Sequence, residues 1–132
     1  MDDERLVAAF ETGVLAADEF THAQHVRVAW WYLKRHSFDD ATARFKTGLQ
    51  RFVAAHGASA KYHETMTVAY LRLIAHRLHE GADLAWPDFA AQNADLLSRS
   101  SSILTRHYTE ERLQSGQAKR VFLHPDRHPF PD

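Results

Sequence analysis

Ten histidines in a chain of 132 residues are the first chemical signal. Imidazole titrates near neutrality, and in its neutral form it is the commonest side-chain metal ligand. His22 and His25 stand three residues apart, so on a helix their rings are neighbours on one face. A helix predicted over 60–80 advances about 100° per residue and puts His63, Thr67, Tyr70 and Ile74 on one line. His76 and His79 fall on its opposite side with Arg72, a solvated edge. If the two helices meet in the core by their N-terminal ends, His22, His25 and His63 converge. Three imidazoles with an open fourth position suit a divalent metal: zinc, iron, nickel or manganese. Glu64, at the edge of that face, is the candidate general base, with fourth ligand or orienting group as its other roles. Chemistry at such a centre would be metal-assisted hydrolysis or lyase chemistry.

Other side chains offer weaker handles. Tyr70 lies on the line of His63 and is a candidate ligand contact as well as a core aromatic. Near the C-terminus, His107, Tyr108, Arg120, His124 and Asp126 form a second group. There Arg120 would present a planar fork to a carboxylate or phosphate if the tail folds back. Each of these residues also has a plainer role. An inward histidine is commonly a hydrogen-bonded core residue, and Glu64 suits a first helical turn. Tyr32, Trp30 and Trp31 read as core or interface aromatics.

Several chemistries are excluded by composition and spacing. The absence of cysteine removes disulfides, cysteine zinc sites, iron–sulfur clusters and a thiol nucleophile. No His-Glu-x-x-His or glycine-rich phosphate loop occurs. Ser98 and Ser100 to Ser102 fall in a predicted loop without a nucleophile elbow. A formal charge of −1 gives no overall field for nucleic acid or anionic lipid.

The elements that must position these residues are helical. A helix over 3–12 carries Leu6, Val7 and Phe10 and stops at Gly13. Thr21-His22-Ala23-Gln24 reads as a capping box, opening a helix that continues to about 35. Ser37 caps a third helix with Phe45, Leu49, Phe52 and Val53 at helical spacing and Gly57 as its stop. The 60–80 helix ends at Gly81, and Pro87 opens a fifth helix carrying Phe89, Leu96 and Leu97. Short helical pieces follow through Ile103 and Leu104 and after Thr109. The prolines at 125, 129 and 131 rule out regular helix in the tail. With 45% apolar and 25% charged residues, the chain is ordinary globular protein. The expected fold is an all-α, single-domain bundle of about five helices, with a non-helical C-terminal strap over 119–132. The longest apolar runs fall short of a membrane span, and the acidic start, Met1-Asp2-Asp3-Glu4, lacks the basic region of a secretory leader. A cytoplasmic location is the expectation.

Phe20-Thr21-His22-x-x-His25, Lys61-Tyr62-His63-Glu64-Thr65 and Pro125-Asp126 together resemble a family of short uncharacterised bacterial proteins. The resemblance runs from Phe20 to Asp126 and implies a helical domain without implying an activity. The reading to carry forward is a small-molecule binder with a histidine-lined pocket, with or without catalysis. The alternative is a non-catalytic interaction module, a homodimer through Trp30, Trp31 and Trp86.

Overall fold

Most helix starts among the described residues are set by side chains that accept from the first free backbone N–H groups. Asp2 accepts from Arg5 N–H at 2.8 Å, and Ser37 from Asp40 N–H at 3.2 Å. Thr109 accepts from Arg112 N–H at 3.2 Å. Thr21 does the same for Gln24 N–H at 3.4 Å, as its capping pattern predicts. The computed structural model describes residues 2–98 and 102–131. It is all-α: α1 Asp3–Thr12, α2 His22–Arg35, α3 Phe38–Ala55, α4 Glu64–Glu80, α5 Trp86–Gln92, α6 Ala94–Leu97, α7 Glu110–Leu113 and α8 Gly116–Arg120. Single 3-10 turns occupy Ala17–Glu19, Ser59–Lys61 and Ile103–Arg106. Arg99, Ser100 and Ser101 of the predicted serine loop lie outside the described residues. No helix among the described residues is long and apolar enough to cross a membrane.

Contacts divide the chain into two compact units, Met1–Tyr62 and His63–Asp132. In the first, α1, α2 and α3 pack on one another as a three-helix bundle. Its centre is aromatic: the Phe10 ring lies 5.1 Å from Phe20 and 5.8 Å from Phe45, and Phe20 lies 4.8 Å from Phe52. Leu6, Val7, Val28, Trp30 and Tyr32 are also buried. The approach of α1 to α3 depends on Gly48. A Cβ there would fall 2.3 Å from Phe10 Cε2, far inside contact distance. Gly13, at φ 76°, ends α1 in the left-handed conformation that glycine adopts without steric cost.

In the second unit α8 and the 103–106 turn pack on α4. The buried set is Thr65, Val68, Ala69, Leu71, Leu73 and Ile74 of α4 with Phe89, Leu96, Ile103, Leu104, Tyr108 and Ala118. The single fifth helix expected from the sequence is two helices. Asn93 breaks it at φ −126°, ψ 41°, donating through Nδ2 to Phe89 O at 2.9 Å. Its Oδ1 accepts from Arg77 Nη1 at 2.8 Å, and Arg77 also forks onto Asp95 at 3.0 and 2.7 Å. The guanidinium so close to Asp95 holds that carboxyl below the usual carboxylate range.

The residues after α8 lack regular structure and are tied down by the unit's own groups. Thr65 Oγ1 donates to Val121 O at 2.9 Å and accepts from Leu123 N–H at 3.1 Å. Tyr108 donates to Leu123 O at 2.6 Å, and burial pushes its phenol up to about 12. Asp126 accepts from Thr109 N–H and Oγ1 at 2.8 and 2.7 Å. The backbone N–H of Arg127 donates to His107 O at 2.9 Å.

Candidate functional site

His63 does not sit inside a helix. The expected start at 60 is replaced by the 59–61 turn and an extended Tyr62, and α4 begins at Glu64. His63, at φ −134°, ψ 108°, is the N-cap, so helical projection does not apply to its side chain. Its Nδ1 accepts from Met66 N–H at 3.1 Å, and its Nε2–H donates to Leu113 O at 2.7 Å. These partners place the proton on Nε2 and the lone pair on Nδ1. Any metal at His63 would have to displace one of these two bonds. The backbone O of His63 serves α4 as well, accepting from Thr67 N–H at 3.1 Å and Thr67 Oγ1 at 2.7 Å.

The other predicted site residues separate by unit. His22, the first residue of α2, and His25 belong to the first unit, where both are half-buried and the His25 ring stands edge-on to Phe20 at 3.9 Å. Glu64 is the first residue of α4 and half-buried. Tyr70 is half-buried, with its hydroxyl 3.2 Å from Ser102 Oγ. Arg120 is exposed in the last turn of α8, its guanidinium lying beside Gly116 of the same helix. Within neither unit, among the described residues, does a group of three or more histidine, aspartate or glutamate side chains form a metal-holding cluster. Trp30 is buried, and Trp31 and Trp86 are half-buried. Stacking of the Arg35 guanidinium at 4.0 Å covers part of Trp31.

A concave site that sequence reasoning did not single out lies in the first unit. It is an open cleft of about 260 Å³ lined by Glu11, Tyr32, Ala43, Arg44, Thr47, Gly48 and Arg51. Positions 43, 44, 47, 48 and 51 recur at helical spacing, so α3 supplies one continuous wall. α1 contributes Glu11, and Tyr32 comes from α2. Arg51 Nη1 donates to Glu11 O at 2.7 Å, which clamps the end of α1 to α3. Arg44 Nε donates to Asp40 Oδ2 at 3.3 Å, and His36 Nδ1 lies 3.3 Å from the same oxygen. Both arginines are exposed, and among the described residues each commits one donor, Arg44 Nε to Asp40 and Arg51 Nη1 to Glu11 O.

Tyr32 is 1% exposed, and its hydroxyl has no hydrogen-bond partner among the described residues. Burial and then the charge of Glu11 push its phenol far above the ordinary range, against the opposing pull of Arg44 and Arg51. The Glu11 carboxylate is therefore close enough to act on the hydroxyl, although the hydroxyl makes no hydrogen bond among the described residues. Three charged cleft residues thus act on the phenolic end of Tyr32, which forms part of the floor. The available signal in the sequence was Gly48, a mid-helix glycine flanked by Arg44 and Arg51 at helical spacing, which marks a close approach beside a cationic stripe. Compared with family models, with curated proteins and with solved structures, the chain finds no match in any of the three.

Proposed function

We propose that this helical protein binds a small molecule in the cleft of its first unit. The observation that carries the reading is the Tyr32 hydroxyl, buried beneath charged side chains without a hydrogen-bond partner among the described residues. A buried hydroxyl left unpaired costs about 1–3 kcal/mol, which a ligand atom bonded to it would offset. The surrounding groups support the same reading. Arg44, Thr47 and Arg51 direct polar atoms to one concavity, and their side chains are exposed enough to move aside for an entrant. At about 260 Å³ the cleft stands just below the roughly 300–1,000 Å³ of drug-sized pockets, so the ligand is small.

The test is an amide-resolved NMR screen of the full chain against compounds of about ten heavy atoms or fewer, neutral, cationic and anionic. A binder is expected to move the amides of Glu11 and of residues 43–51, and to bind more weakly to the Tyr32→Phe variant. A screen in which no compound moves those amides would overturn the proposal.

A further inference from the structure

The donors and acceptors around this cleft are unequal, and the inequality selects a ligand class. Arg44 and Arg51 are seven residues apart on α3, a rise of about 10 Å, which two extended arginine side chains can close. Thr47 lies between them on the same face. The remaining polar side chains of the lining are the Tyr32 hydroxyl, a donor to anything with a lone pair, and Glu11, the sole acid. Guanidinium forks match carboxylate and phosphate oxygens in geometry as well as charge. The lining carries two cations and one carboxylate; Asp40, outside the lining, engages Arg44 through Nε at 3.3 Å. Glu11 in turn accepts only from a donor, so it asks for a hydroxyl or amine on the same ligand.

We infer that the cleft takes a small oxyanion, a carboxylate or phosphate monoester bearing a neighbouring hydroxyl or amine. Its oxygens lie between Arg44 and Arg51 and accept from Tyr32, while its hydroxyl or amine faces Glu11. This rests on the small-molecule reading above and gives that ligand its chemistry.

The experiment titrates the full chain, by calorimetry and amide NMR, with glycerol phosphate, lactate, inorganic phosphate, glycerol and ethanolamine. Glycerol phosphate or lactate is expected to bind with shifts at Glu11 and residues 43–51, and to weaken as salt rises. Binding of lactate alone assigns a carboxylate, and binding of glycerol phosphate alone a phosphate; either supports the inference. Arg44→Gln and Arg51→Gln are each expected to weaken binding roughly tenfold or more. Tyr32→Phe should weaken it by about tenfold without lowering the melting temperature of the free protein. Arg51→Lys, which keeps the charge, stands in if Arg51→Gln does not fold, and is expected to weaken binding less. Glycerol or ethanolamine binding at these amides while glycerol phosphate, lactate and inorganic phosphate all fail would overturn the oxyanion class and leave the small-molecule reading standing. Unchanged affinity in both arginine variants would overturn the inference as well. Failure of all these probes together with the broader screen would overturn the small-molecule reading itself.

Discussion

Replacing His63 by alanine removes two interactions of known kind. The first is the N-cap: Met66 N–H loses the Nδ1 acceptor at 3.1 Å. Loss of a cap costs about 1 kcal/mol. The second is the bond from Nε2–H to Leu113 O at 2.7 Å, a link across 50 residues of chain, worth about 1 kcal/mol. Together they amount to about 2 kcal/mol, or about 8 °C in melting temperature for a chain of this size. His63→Asp separates the two terms. Aspartate caps well and suits a helix N-terminus, but it cannot donate to Leu113 O. It should therefore recover about half of the loss, roughly 4 °C. The assay is thermal unfolding followed by circular dichroism near pH 7.5, with metal content of the same preparations measured by elemental analysis. A His63→Ala melt within about 2 °C of the parent would refute the assignment of His63 as a structural cap. So would a stoichiometric metal in the parent that disappears in His63→Ala while the melt stays put.

Four further outcomes follow from the geometry. Tyr32→Phe deletes a hydroxyl that has no partner among the described residues, so the free protein should melt at least as high as the parent; a clear drop would mean that the hydroxyl is bonded after all. Gly48→Ala should destabilise by about 1–3 kcal/mol because its Cβ meets the buried Phe10 ring, and denaturant titration checks it. Thr65→Val strips Val121 O and Leu123 N–H of their partner, costing about 2 kcal/mol, and limited proteolysis should then cut near 121–131 sooner. The Asp95 carboxyl is held below its ordinary 3.8 by Arg77, so its contribution is complete above that value and fades as pH falls through the lowered one. The melting gap between the parent and Asp95→Asn should accordingly be constant near neutrality and close in strong acid; a gap that widens below pH 3.8 would contradict the pairing.

Legibility of the fold followed the locality of the signals. The caps at Thr21, Ser37 and Thr109 and the stops at Gly13 and Gly57 depend on neighbours a few residues away, and each was readable as written. The start of α4 was not. Imidazole is an unusual cap, and what holds this one is a carbonyl at Leu113 that no local pattern announces. The break at Asn93 was hidden for a similar reason, since its side chain is held by Arg77 from α4. At the candidate site the attention given to histidine passed over charged residues of α3. Arg44, Thr47 and Arg51 form a polar stripe of the kind every surface helix carries. Their significance depends on Glu11 from α1 and Tyr32 from α2, a meeting of three helices that periodicity does not encode.

Thr65 also bears on the order in which this protein is made. During synthesis α4 leaves the ribosome well before the residues that complete its first turn, because Val121 and Leu123 follow Thr65 by 56 and 58 positions. At roughly 5–20 residues per second, its hydroxyl waits several seconds for both partners. Over that interval α4 has its backbone but not its clasp, and the closing loop is long enough to make this a late, non-local step. The second unit therefore matures after translation has passed α8, and a pause or truncation within 121–131 should leave a nascent chain whose second unit is still open to chaperones.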